Sequence, residues 1–111
     1  MNITIEEDGH AYILHLNGEL DASTCLQVDR EIELALIQPI EQLWLDFEEV
    51  KYISSAGLGV LISHMATLEA RQINLVLYGM SSHVKNVFEL LGLHTIMTIV
   101  PSRKDASLQL K

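Results

Sequence analysis

The first part of the chain alternates between hydrophobic and polar residues with the period of a half-buried β-strand. From Asn2 to Glu6 every second residue is an isoleucine, and from Tyr12 to Leu16 one face carries only large apolar side chains. Asp8-Gly9, between these segments, has the composition of a tight hairpin turn. The pattern therefore predicts two antiparallel strands at the N-terminus.

Two later segments, Leu43 to Phe47 and Ile73 to Tyr78, are apolar at nearly every position, which is typical of strands covered on both faces. A last, edge strand is predicted from Thr95 to Val100. Between the strands, apolar residues recur at the three- and four-residue spacing of helices that bury one face. The predicted helices run from about Ser23 to Gln38, from Ser54-Ser55 to about Gln72, from Ser81 or Ser82 to Gly92, and from Ser102 to Leu110.

The start of the first helix is open between Asp21, Ser23 and Thr24, and Thr24 with Gln27 fits a capping box. Pro39 ends this helix because it lacks an amide and disfavours helical geometry at the residue before it. The expected buried stripes of the second and third helices are Leu58, Leu61, Ile62, Met65 and Leu68, and Val84, Val87, Phe88 and Leu91.

The resulting element order is β-β-α-β-α-β-α-β-α, which predicts an α/β fold in one domain, residues 1–111. The sheet is expected to be mostly parallel, with one antiparallel N-terminal strand, and packed with helices. Because functional loops gather beyond the carboxyl ends of parallel strands, the loops that hold Asp21, Ser55 and Ser81 are expected to lie near one another.

Charge and composition narrow the classes of function. Seven Lys and Arg against fifteen Asp and Glu give a net charge of -8, and the basic residues are scattered, so nucleic-acid binding is not expected. Cys25 is the only cysteine, which excludes an internal disulfide. The N-terminus lacks the pattern of a signal peptide. The uncharged stretch from Tyr52 to Leu68 is too short for a membrane span, and a cytoplasmic protein is expected.

Catalytic and metal sites are not expected either. A hydrolase elbow needs glycine two residues before the serine, where Ser55 has Ile53, and Gly57-Leu58-Gly59 lacks the spacing of a P-loop. Asp21 and Asp46 could form a carboxylate pair, although such residues more often cap loops. The five histidines match no zinc spacing: His10, His15, His64, His83 and His94. His15 and His64 are interpreted as ordinary packing or surface residues.

Small residues are concentrated from Ser54 to Gly59, directly before the apolar helix. Ser54 or Ser55 is well placed as the N-cap, accepting a hydrogen bond from an amide of the first turn. A hydroxyl at a helix N-terminus is also a favourable place for a phosphate, because free amides and the helix dipole meet the anion there. The pattern alone leaves both interpretations open, a cap only or a modified serine. The two glycines are interpreted as allowing close packing against the sheet.

The segment from Ser54 to Gly59 resembles the Asp-Ser-Ser/Thr-Gly-Leu-Gly signature of the STAS family, the bacterial anti-sigma factor antagonists. The run from Gly18 to Asp21 is similar to the Gly-Glu-Leu/Ile-Asp run of that family, and the element order agrees over nearly the whole chain. The resemblance implies phosphorylation at Ser55, with Ser54, which replaces the usual Asp, as the second choice. It also implies these partner-binding residues: Asp21, Ser54, Ser55, Ala56, Gly57, Leu58 and Gly59.

The resemblance further implies a partner-switching cycle without catalysis or a cofactor in this chain. The unmodified protein would bind an anti-sigma factor, which is also a serine kinase using Mg-ATP, and so release a sigma factor. Phosphorylation at Ser55 would end binding, and a PP2C-type serine phosphatase would reset the cycle. Two alternatives remain: a STAS scaffold or accessory subunit of a stress-signalling or lipid-transport complex, and a small enzyme or nucleotide binder.

Overall fold

The computed structural model describes residues 1–9 and 11–108. Strands and helices alternate along the chain in the predicted order. The elements are β1 (Asn2–Asp8), β2 (Ala11–Leu20), α1 (Cys25–Leu36), β3 (Gln42–Ile53), α2 (Ser55–Ala70), β4 (Asn74–Tyr78), α3 (Ser82–Leu90), a 3-10 turn (Leu93–Thr95), β5 (Thr98–Val100) and α4 (Arg103–Ser107).

The strands form one sheet in the order β1-β2-β3-β4-β5. The strand β1 pairs antiparallel with β2, and the other neighbouring pairs are parallel, which confirms the predicted α/β architecture. Strand order follows chain order throughout, because each connecting helix carries the chain to the next position in the sheet. The described sheet therefore has no point of reversal, where α/β proteins form their usual ligand crevice.

The two faces of the sheet are covered unequally. Helices α1, α2 and α3 bury one face in the main core, where the Phe47 and Phe88 rings meet edge to face with centroids 6.1 Å apart. A smaller cluster covers the other face, where Trp44 and Tyr78 pack edge to face and Ala106 of α4 lies over them. The strand β3 is buried on both sides over its first half, as its continuous apolar run predicts.

Strands β2 and β3 are longer than predicted. Beyond Asp46, the last residue of β3 that pairs with β4, the two strands continue together until Leu20 pairs with Ile53. The sequence predicts the second strand only as far as Leu16, but β2 continues to Leu20, with register shifts between His15 and Asn17 and between Gly18 and Glu19. The charged residues of the second half of β3 are exposed to solvent, so the sequence there lacks the apolar pattern of a buried strand. We call this paired segment the two-stranded extension.

The first helix starts later than Ser23, and the capping box is wrong. Thr24 occupies the N-cap position of α1, but its side chain makes no cap hydrogen bond. Its hydroxyl instead donates to the carbonyl of Glu19 at 2.7 Å, and the Gln27 amide donates to the carbonyl of Met1 at 2.9 Å. The residues before Cys25 form a tight turn, and this turn delays the helix.

The later helix boundaries are close to the predictions. Ser81, rather than Ser82, caps α3 by accepting from the Val84 amide at 3.2 Å. Gly92 has a φ of +72°, the left-handed conformation expected after the helix. The following 3-10 turn occupies the predicted start of the last strand, so β5 is short. The predicted end of the last helix, Leu110, lies outside the described residues.

Two residues predicted to be buried are exposed. Ile62 is 45% exposed, because α2 is apolar around most of its circumference and periodicity cannot identify its inner face. Leu91 is 60% exposed, because it lies at the C-cap, beyond the last full turn of α3. Within residues 1–9 and 11–108, no helix has the length and apolar character needed to cross a membrane.

Candidate functional site

Ser54 joins the end of β3 to the start of α2 and is the N-cap of that helix. Its hydroxyl accepts from the Gly57 amide at 3.4 Å, and its carbonyl accepts from the Leu58 amide at 3.0 Å. Its own amide donates to the carbonyl of Leu20 at 2.9 Å, which fixes the helix start to the end of β2. The Ser54 side chain is therefore half-buried and committed to the cap.

Ser55 is the first residue of α2 and is exposed to solvent. The amides of Ser55 and Ala56 belong to the first helical turn, where no intrahelical acceptor exists. These groups and the positive end of the helix dipole create a local environment that favours an anion. Of the two adjacent serines, Ser55 is the one that is exposed to solvent.

The two glycines of the segment have different roles. At Gly57 a Cβ atom would lie 2.6 Å from the Leu20 Cγ atom and 2.8 Å from the Leu20 carbonyl oxygen, so only glycine lets α2 approach β2 this closely. At Gly59 a Cβ atom would meet no atom within 4 Å among the described residues, and the residue is exposed. The interpretation of the glycines as close-packing residues is confirmed for Gly57 and wrong for Gly59.

Asp21 lies beside the serines, as predicted. The carbonyl of Leu20 accepts the hydrogen bond from the Ser54 amide. Asp21 follows Leu20 and Ser55 follows Ser54, so both residues lie directly after this contact. The Asp21 carboxylate accepts from the Ser23 hydroxyl at 2.7 Å and from the Ser23 amide at 2.9 Å. These hydrogen bonds lower the pKa of Asp21, which is ionised at neutral pH and gives the site a negative charge.

Asp46 and Ser81 do not join this cluster. Asp46 lies opposite His15 in the middle of the sheet, well before the level of Asp21, so the considered carboxylate pair does not form. The loop before Ser81 packs at Gly79 against Glu48, at the level where β4 ends. The two-stranded extension carries Asp21 and the serines beyond that level, which separates the loop of Ser81 from them.

Two histidines interpreted as ordinary packing or surface residues are bound to carboxylates. His64 of α2 lies 2.6 Å from Asp29 of α1, and His15 lies within hydrogen-bond distance of two carboxylates. The partners of these histidines are between 9 and 35 residues away, so no local pattern could identify them. Within the part of the chain that the structure describes, no three His, Cys, Asp or Glu side chains are arranged to hold a metal ion.

Known proteins resemble this chain over nearly its whole length. The STAS domain family model matches residues 2–106. The anti-sigma-B factor antagonist of Listeria monocytogenes is 36% identical over 102 residues, which cover 89% of this chain and 90% of the relative.

Solved structures agree with the fold. The anti-sigma factor antagonist SpoIIAA in its unphosphorylated form has a TM-score of 0.81 at 25% identity, with 98% of this chain and 96% of that chain covered. The phosphorylated form of SpoIIAA from Bacillus has a TM-score of 0.73 at 24% identity, with 99% and 100% covered. On the sequence match and this shared fold, the chain belongs to the STAS domain family.

Proposed function

We propose that this protein is an anti-sigma factor antagonist controlled by phosphorylation at Ser55. The observation that carries the proposal is the exposed Ser55 hydroxyl at the N-terminus of α2, next to a serine already used as the cap. The names of the relatives support the same class of function. In this role the protein is a substrate and a binding partner, and its serine performs no catalysis.

The physical basis of the switch is a change of charge on a surface that otherwise keeps its shape. A phosphate on Ser55 adds about -1.5 to -2 charges and receives stabilisation from the start of α2. A partner that fits the neutral hydroxyl would have to desolvate this anion. An unfavourable coupling of about 1–3 kcal/mol weakens binding about 5- to 150-fold.

The proposed partners complete the cycle in the cytoplasm. An anti-sigma factor with serine kinase activity binds the unmodified protein, through Asp21 and the segment from Ser54 to Gly59, and releases its sigma factor. It then phosphorylates Ser55, and the complex dissociates. A PP2C-type phosphatase restores the hydroxyl. Nucleotide and metal belong to these enzymes, and the domain acts as one unit over residues 1–111.

One observation favours a second candidate function. Ser54 stands where the family signature has an acidic residue, so a kinase that requires the acidic side chain would not recognise this chain. A STAS scaffold or accessory subunit would keep Ser54 and Ser55 as a helix start only. In that case the protein would bind its partners without any dependence on phosphate.

The first test is phosphosite mapping of the intact protein purified from its own host, with a phosphatase-treated control. Phosphate on Ser55 is the expected result. Phosphate on Ser54 would mean that the acceptor is the neighbouring serine, while control by phosphorylation would still hold. The absence of phosphate under every growth and stress condition would favour the scaffold function.

The second test measures affinity for the cognate anti-sigma factor by calorimetry. We expect Ser55→Ala to bind like the unmodified protein and Ser55→Asp to bind more weakly, because only the second variant places negative charge at the contact. Ser82→Asp, which adds the same charge at the first residue of α3, is the matched control. Equal affinities for Ser55→Ala and Ser55→Asp would contradict the proposal.

A further inference from the structure

His15 lies between two carboxylates from different strands. Its Nδ1 atom is 2.6 Å from Oδ2 of Asp46 on β3, and its Nε2 atom is 2.8 Å from Oε1 of Glu6 on β1. The side chain of His15 is 29% exposed and that of Asp46 is 12% exposed, so the contacts are partly shielded from water. The histidine thus connects β1, β2 and β3 across the sheet.

The two contacts determine which protonation state of His15 satisfies both carboxylates. An ionised carboxylate only accepts hydrogen bonds, so both ring nitrogens of His15 must donate. A neutral imidazole has one N–H group and would point a lone pair at one of the two carboxylates, whereas the imidazolium has two N–H groups. With Glu6 and Asp46 ionised, the arrangement is therefore complete only when His15 is protonated.

Other charged and titratable groups surround this contact. Arg103 of α4 donates to both oxygens of Glu6, at 2.9 and 2.6 Å, and to Asp8 at 2.9 Å. From β3, the Glu48 amide donates to the second oxygen of Asp46 at 2.9 Å. Tyr78 of β4 is the register partner of Asp46, and burial, followed by the charge of Asp46, raises its pKa, so it stays neutral.

The cluster of His15, Glu6, Asp46 and Arg103 lies where several elements of the fold meet. Asp46 is the last residue of β3 that pairs with β4, and the register between β2 and β3 shifts immediately after His15. The cluster thus lies at the base of the two-stranded extension, whose far end holds Ser54. Through Glu6 and Arg103, the same cluster also attaches α4.

We infer that protonated His15 is a pH-sensitive clamp that joins β1 and α4 to the base of the two-stranded extension. When His15 loses its proton, one of its two contacts becomes repulsive, and β1 with α4 becomes easier to open. The clamp requires neither phosphate nor a partner, so it stands independently of the proposed function.

The direction of the pH effect follows from the contacts. Burial lowers the pKa of His15, but the hydrogen bonds to Glu6 and Asp46 outweigh burial and leave its pKa above the usual value. A group whose pKa is raised in the folded state stabilises fully below the unfolded-state pKa, near 6.5. That stabilisation is lost as pH rises through the folded-state pKa, so the clamp opens on the alkaline side.

The first experiment follows the side-chain resonances of each histidine by NMR as pH is raised, using the full-length protein. We expect His15 to titrate above about 6.5, with both ring nitrogens protonated below its midpoint. The exposed His83 and His94 serve as internal references. In Asp46→Asn, which removes one anionic acceptor, the midpoint should move down. A midpoint for His15 at or below those of the references would overturn the inference.

The second experiment measures amide hydrogen exchange across the same pH range, corrected for the intrinsic exchange rate. We expect protection in β1 and α4 to fall about threefold to tenfold as His15 titrates, the effect of weakening one partly exposed charged hydrogen bond. Amides of α3, which packs on the opposite face of the sheet, should not follow this transition. Unchanged protection in β1 and α4 would show that His15 is only a packing residue. This experiment uses the unsubstituted protein, so it remains decisive if the Asp46→Asn variant does not fold.

Discussion

Ser54 and Ser55 have the same side chain and different chemistry, because the backbone places them differently. The Ser54 hydroxyl completes the start of α2, whereas the Ser55 hydroxyl is presented to solvent. The sequence predicts a serine cap here but cannot choose between adjacent serines, since either could adopt the extended backbone of an N-cap. The choice depends on the bond from the Ser54 amide to Leu20, a residue far away in the chain.

At this scale we expect Ser54→Ala to lower the free energy of unfolding by about 1 kcal/mol, because the helix loses its cap. The matched control is Ser81→Ala, which removes the equivalent cap of α3. Chemical denaturation should show similar losses for the two variants. If Ser55 is the acceptor, as proposed, both variants should still be phosphorylated, and loss of all phosphate in Ser54→Ala alone would point to Ser54 as the acceptor.

At the scale of elements, the two-stranded extension was the feature that the sequence predicted least well. Strand types and order could be predicted, because buried strands and amphipathic helices have distinct periods. The second half of β3 has only Val50 and Ile53 buried among exposed residues, and this three-residue spacing does not fit the two-residue period of a strand. Long-range pairing with β2 determines this segment, so a local pattern could not reveal it.

The contact between α2 and β2 gives a paired prediction at this scale. Gly57→Ala should destabilise the protein by about 1–3 kcal/mol, because the new methyl group meets the Leu20 backbone. Gly59→Ala should stabilise it by about 0.5–1 kcal/mol, because the site is open and alanine favours helix. Thermal unfolding of the two variants would test this contrast, and equal shifts of Tm would contradict it.

At the scale of the whole molecule, one ion cluster joins the two ends of the chain. Arg103 near the C-terminus binds Glu6 and Asp8 near the N-terminus. The hydrogen bond from Arg103, followed by that from His15, lowers the pKa of Glu6 from 4.5 to about 2. Nothing in the local sequence indicates this cluster, because its members are brought together only by the completed sheet.

The lowered pKa of Glu6 predicts a specific acid sensitivity. A carboxyl group whose pKa is lowered by folding stabilises the folded state at pH values above its unfolded-state pKa. This contribution is lost as pH falls from about 4.5 to about 2. Denaturation as a function of pH should show this loss in the natural protein and a smaller one in Glu6→Gln. Glu7→Gln, on the exposed neighbour, should keep the full pH dependence.

The sequential order of the strands also has a consequence for how the chain folds. Each strand pairs with its neighbour in sequence, so the sheet can grow strand by strand in the order of synthesis. The contact of Arg103 with Glu6 spans 97 residues and cannot form until Arg103 has left the ribosome. The attachment of α4 is therefore expected to follow the formation of the sheet during synthesis, with Trp44 and Tyr78 more exposed until α4 is in place.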